Sequence, residues 1–151
     1  MRSIYAAFIL LLVLMTSAHC QQTAEDWFNK GDLLLNSGKY NESIEAYNKA
    51  IELNQSYAVA WSHKGDALLN LSLFNESLDS YDKAIKLDPN FALAECCKGL
   101  ALYLQGKYDD AINYYRQAAS SKGVHEKTAA MYQSSADRLG KHKSRIAKSG
   151  T

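Results

Sequence analysis

The side chains with most chemistry to offer are few, and they recur at one interval. His63 and Cys97 lie 34 residues apart, as do Asp32 and Asp66. A Cys–His pair could make a thiolate nucleophile, and the four together carry donors that zinc accepts. The spacing lacks a tight ligand pair, however, and no Gly-rich phosphate loop accompanies it. Cys96 and Cys97 are adjacent, so on a helix they point about 100° apart and a bond between them would distort it. They read as two small apolar residues partly buried, with an intermolecular disulfide as the alternative. We therefore expect no catalytic residue, no metal and no cofactor, and a function that is not enzymatic. Four Asn-x-Ser sequons, at Asn41, Asn54, Asn70 and Asn75, offer covalent chemistry of another kind. Each is a glycan acceptor if the chain is exported.

The interval itself governs the architecture. Gly31, Gly65 and Gly99 are 34 residues apart, and so are Tyr47, Tyr81 and Tyr115, and Ala50, Ala84 and Ala118. A fixed period of that length means one supersecondary unit copied three times, each burying its apolar face against its neighbours. The middle copy shows two helices, Ala58 to Asn70 and Asn75 to Asp88. The second carries Leu78, Tyr81, Ala84, Ile85 and Leu87 at the three-and-four spacing of one helical face. Gly38 and Gly106 suit the left-handed residue that ends a helix. Asn41, Asn75 and Asp109 share a register just after that break and read as caps of the second helices. Capping is thus a rival explanation for two of the sequons. Each repeated glycine costs about 1 kcal/mol against Ala in a helix, and close approach of the paired helix's tyrosine is the reason to expect one.

These residues resemble the tetratricopeptide repeat signature: Trp27, Gly31, Tyr47 and Ala50, then Trp61, Gly65, Tyr81, Ala84 and Pro89, then Gly99, Tyr115 and Ala118. The third copy departs from it at Glu95, where the others carry Trp, and at Gly123, where the middle one has Pro89. The resemblance implies an all-α, right-handed superhelix of helix-turn-helix repeats, an α-solenoid, with a concave groove lined by the first helices and used for protein or peptide ligands. The repeats are placed at 24–57, 58–91 and 92–123, followed by a capping helix over 124–139 and a basic, disordered tail over 140–151.

Register then assigns the groove. Phe28, Asp32, Ser62, His63, Asp66, Leu69, Cys97, Leu100 and Tyr103 are the candidate peptide-binding residues. Polarity falls toward the third repeat, where Leu93, Leu100 and Leu104 stand; a rival reading places those leucines beneath the final helix. Family members that grip a ligand's terminal carboxylate carry Lys, Arg and Asn at set positions. The matching positions here hold Phe28, Asp32, His63, Leu93 and Cys97, so that activity does not carry over. A ligand with an apolar segment and a basic group facing Asp32 and Asp66 suits the surface better.

Residues 1–20 stand apart from the repeats. Arg2, the apolar run Ile4 to Met15 and the small residues from Thr16 to Cys20 have the order of a secretory signal. The run is shorter than the roughly 20 residues needed to span a bilayer. Cleavage, retention as a membrane anchor and lipidation at Cys20 all remain open. The expected location is outside the cytoplasm: extracellular, periplasmic or membrane-anchored. The net charge is only +1, with basic residues crowded from Arg138 to Lys148; near-neutrality and export disfavour a nucleic-acid partner. The expected function is an exported scaffold module that binds a partner protein or peptide. A homo-oligomeric structural protein at the cell surface, tethered through residues 1–20, is the alternative.

Overall fold

A computed structural model describes residues 22–149, so the signal, anchor and lipidation readings of residues 1–20 lie outside the described residues. Among those residues the chain forms seven helices and no strand. They are α1 (Ala24–Asn36), α2 (Tyr40–Leu53), α3 (Ala58–Asn70), α4 (Phe74–Leu87), α5 (Ala92–Leu104), α6 (Tyr108–Ser120) and α7 (Glu126–Ser149). α1/α2, α3/α4 and α5/α6 pair as hairpins, each packs on the next, and α7 packs on α6. α1, α3 and α5 touch in sequence, which forms one layer of the solenoid.

The first helices end alike. At each, two backbone bonds run back into the helix: Gly38 to Leu35 and Lys39 to Leu34, Ser72 to Leu69 and Leu73 to Leu68, Gly106 to Tyr103 and Lys107 to Leu102. That double bond is the Schellman closure, and it needs a left-handed residue, which is Gly38 at φ 74°, Ser72 at φ 60° and Gly106 at φ 77°. Only the middle joint uses a side chain that disfavours this conformation. Ser72→Gly should raise stability by about 0.5–1 kcal/mol, the left-handed penalty less the entropy of glycine. Urea unfolding reads it, and an unchanged or lower midpoint would refute the strain.

These joints also correct the capping assignment. α2, α4 and α6 begin one residue earlier than read, with Lys39, Leu73 and Lys107 as N-caps that make no side-chain cap bond. The N-cap residue is already used in closing the preceding helix, so Asn41, Asn75 and Asp109 fall inside the first turn. Asn75 Oδ1 instead accepts from Gln105 Nε2 at 3.0 Å, and Asp109 pairs with Lys143. α1 alone of the three first helices has a capping box, in which Thr23 Oγ1 accepts from the Asp26 N–H and Asp26 from the Thr23 N–H.

The repeated glycines do admit the tyrosines. A Cβ on Gly31 would stand 2.5 Å from Tyr47 Cε1, one on Gly65 2.7 Å from Tyr81 Cε1, and one on Gly99 3.1 Å from Tyr115. Ala50, Ala84, Ala118, Ser43, Ser77 and Ala111 are all fully buried around them. Trp27 and Trp61 flank the first interior cluster with Ala50, Ile51 and Ala60, and each carries a lysine over its ring, Lys30 at 4.5 Å and Lys64 at 5.1 Å. In the third copy Glu95 replaces Trp, is buried, and accepts from the Ser121 hydroxyl at the end of α6. Lys98 therefore turns to the Tyr114 ring and to Asp82. Burial opposes its charge, but Asp82 and the Tyr114 hydroxyl outweigh that and hold its pKa above the ordinary lysine value.

α7 runs on to Ser149, ten residues past the expected end, so the segment read as a disordered tail is helical over 140–149. Lys143 ties it to Asp109 of α6, and Lys, Arg and Ala there are good helix formers. Ala136 and Leu139 are its buried side chains, packed with Ile112 and Tyr115.

Candidate functional site

The layer of first helices carries a repeated arrangement of one carboxylate with partners from two directions. In the first joint Asp32 Oδ1 accepts from the Tyr47 hydroxyl at 2.7 Å and meets His63 Nδ1 at 2.8 Å. Tyr47 arrives from α2 and His63 from α3, so one carboxylate binds three helices. Phe28 closes the joint with its ring centroid 5.1 Å from Tyr57 and 5.1 Å from His63. In the second joint Asp66 Oδ1 accepts from the Tyr81 hydroxyl at 2.6 Å, and the Cys97 thiol, in the register of His63, acts on the same carboxyl. Ser77 Oγ donates to the Gly65 carbonyl at 2.9 Å, which fixes the helix pair beneath.

Burial sets the protonation. It is the largest influence on Asp66 and pushes the carboxyl above its ordinary range against the pull of Tyr81, His63 and Cys97. Burial first, and then the adjoining carboxylates, push the Tyr47 and Tyr81 phenols well above theirs. The Cys97 thiol rises for the same reasons, and burial alone raises Cys96 to about 11. Thiols held this high stay protonated at neutral pH and are poor nucleophiles.

Sequence register brings Asp32 to His63 and Asp66 to Cys97, as the shared interval suggests, yet His63 and Cys97 serve different carboxylates and make no nucleophile–base pair. No group of His, Cys, Asp and Glu among the described residues is arranged to hold a metal ion. Phe28, Asp32, His63, Asp66, Leu69 and Cys97 are partly buried in this layer. Ser62 is a correction. It is fully buried with its hydroxyl unpartnered among the described residues, because it shares the register of Phe28 and Cys96 and faces the packing side of α3.

The third repeat settles the rival placement of its leucines. Leu93, Leu100 and Leu104 are 46%, 40% and 50% exposed, and Tyr103 is 37% exposed, so the final helix does not cover them. The hydroxyl–carboxylate bonds themselves escape sequence reading, where Tyr47 and Tyr81 stand as packing residues and Asp32 and Asp66 as groove residues. Their signal is Asp and Tyr 15 residues apart in the first two copies, and its loss in the third, where Leu100 precedes Tyr115. All four sequon asparagines are exposed.

Comparison with known proteins agrees with this construction. A TPR repeat model matches residues 31–72, and two tetratricopeptide repeat models match 58–91 and 98–138. No curated protein matches the chain significantly. Among solved structures, the Arabidopsis OM64 TPR domain superposes with a TM-score of 0.70 at 25% identity, over 80% of this chain and 96% of that one. The Sgt2 TPR domain from Aspergillus fumigatus gives 0.71 at 16% identity, over 81% and 82%. The first TPR of Spaghetti (RPAP3), bound to an HSP90 peptide, gives 0.68 at 20%, over 78% and 92%. With family models matching residues 31–91 and 98–138 and the same glycine–tyrosine contact in all three hairpins, this chain belongs to the tetratricopeptide repeat family.

Proposed function

We propose that this protein is an exported interaction module that holds a partner polypeptide segment along the layer formed by α1, α3 and α5, with no turnover. The observation that carries this is the exposed run of Leu93, Leu100, Tyr103 and Leu104 on α5, continuous by register with Phe28, Asp32 and His63. Large apolar side chains grouped on one face of a small domain mark a contact surface. Spaghetti's domain is solved with the HSP90 peptide SRMEEVD, an acidic tail. The groove positions of this chain offer Asp32, His63, Leu93 and Cys97 and no Lys or Arg, so nothing there grips a terminal carboxylate and Asp32 repels one.

Two measurements follow from this. SRMEEVD with a free and with an amidated C-terminus should give the same fluorescence anisotropy titration, since no Lys or Arg at these groove positions receives a terminal carboxylate. Leu93→Glu combined with Leu104→Glu should abolish capture of partners that the wild type retains from its native host, while circular dichroism keeps its helical amplitude. Both leucines are half exposed, so the pair tests the surface and spares the interior. Retention of the same partners by the double variant would remove the groove from the function.

Export rests on the order of Arg2, the apolar run and the small residues after it, and four exposed sequons suit that address. No helix among the described residues is long and apolar enough to cross a membrane, so residues 1–20 are the proposed route for any tether. Mass spectrometry of the mature chain distinguishes cleavage, anchor and lipid. The same exposed α5 face favours self-association as a second reading, and light scattering across a range of concentrations separates the two.

A further inference from the structure

The joint between α5 and α7 differs from the first two in what fills it. Register places Leu100 where Asp32 and Asp66 stand, and Met131 where His63 and Cys97 stand. Tyr115 keeps its place against Gly99, but among the described residues its hydroxyl has no hydrogen-bond partner. Where a carboxylate would bridge the helices there is instead a cavity of about 300 Å³. Leu100, Tyr103, Tyr115 and Leu139 form its apolar walls, and Arg138 and His142 of α7 stand at its edge.

Arg138 and His142 are one helical turn apart, are exposed, and so project from one face of α7. Arg138 has no carboxylate partner among the described residues. The His142 ring meets Tyr108 edge-on at 6.3 Å, and Tyr108 lies 5.9 Å from Tyr103, which fixes the imidazole beside the opening. An apolar recess with an exposed guanidinium and an imidazole at its rim has the make-up of a specificity pocket, with few polar groups over an apolar lining.

We infer that this cavity anchors one bulky apolar side chain of the partner segment, and that Arg138 and His142 receive an Asp or Glu next to that anchor in the partner's sequence. The occupant is a polypeptide because the recess opens beside the exposed α5 strip, where the rest of a segment has apolar surface to cover. The charged groups run in a defined order, from the Asp32 carboxylate at the first joint to the Arg138 guanidinium at the last, and this sets the direction in which the segment lies. The inference rests on the groove function proposed above.

The test selects phage-displayed random dodecapeptides on the full chain and measures the synthesised consensus by fluorescence anisotropy. The expected consensus is a bulky apolar residue beside Asp or Glu. Leu100→Asp gives Tyr115 the acceptor its counterparts have and puts a carboxylate in the apolar wall of the recess, so affinity should fall about tenfold or more, the scale of one buried anchor. Arg138→Glu is at an exposed position that folding does not require. It should weaken binding about fivefold and restore it to a peptide whose acid is replaced by Lys. Binding unaffected by either variant, yet lost in Leu93→Glu with Leu104→Glu, overturns the pocket and leaves the groove function standing. Failure to select any peptide, or selection of peptides indifferent to all these changes, overturns both. A photocrosslinking p-benzoylphenylalanine in place of Tyr103 identifies the occupant: crosslinks to the peptide support the inference, and crosslinks to residues 4–15 or to a second copy of the chain overturn it.

Discussion

Gly65→Ala should cost about 1–3 kcal/mol and Gly65→Leu more than that, whereas Gly99→Ala should change stability by less than about 0.5 kcal/mol. The new Cβ at position 65 would lie 2.7 Å and 2.9 Å from Tyr81 Cε1 and Cδ1, closer than such atoms can stand. Tyr81 has nowhere to go: it is fully buried and its hydroxyl is held 2.6 Å from Asp66. Overpacking therefore outweighs the roughly 1 kcal/mol that alanine gains over glycine in a helix. At position 99 the contact is 3.1 Å, and Tyr115 has no acceptor among the described residues and borders the cavity. Its ring can give way by a few tenths of an ångström, and the propensity gain offsets the remaining 3.3 Å contact with the Ala111 carbonyl. Urea unfolding of the three variants checks the order, and equal losses at 65 and 99 would discard the anchored-ring explanation.

Tyr81→Phe should destabilise by about 2–3 kcal/mol at pH 7, the range for a bond to a charged acceptor, and by visibly less near pH 4. The substitution removes only the hydroxyl oxygen and takes from the Asp66 carboxyl its 2.6 Å hydrogen bond. The pKa of Asp66 is already raised by burial, and the Tyr81 bond is the largest influence lowering it, so the variant raises it further. A carboxyl whose folded pKa exceeds its unfolded one has its full stabilising contribution below the unfolded value, about 3.9, and loses it as pH rises through the folded value. The penalty of Tyr81→Phe therefore grows from acid to neutral pH. Tyr47→Phe should cost less, since Asp32 keeps His63 and is partly solvated. A pH-independent loss in Tyr81→Phe would show that packing, and not the carboxylate, is at work.

The repeats were legible because close approach leaves a mark that survives in one chain: glycine at a helical position is costly, so three at one interval announce three tight contacts. The aligned first helices followed, and with them the nearness of Asp32 to His63. Asn41, Asn75 and Asp109 misled because a short polar residue after a glycine looks like a cap, while the Schellman closure had already consumed that position. Ser62 misled because its register is shared with Phe28, whose large ring reaches the joint, whereas the short serine side chain stays in the interior. The extent of α7 was hidden because Lys143 pairs with Asp109 across helices, and charge composition does not reveal a tertiary partner. The cavity was hidden for a similar reason, since it is defined by Leu100 failing to be an aspartate and by residues of a helix assigned only a covering role.

The carboxylates of Asp32 and Asp66 act as rivets between successive plates of the stack, and the last plate has none. Local opening of a protein proceeds where the fewest bonds are surrendered. Lifting α7 off the stack sacrifices apolar contact and the exposed Lys143–Asp109 pair but no buried carboxylate, so excursions begin at that end while the first two plates stay clamped. A visiting chain that inserts a side chain there supplies the missing fastener.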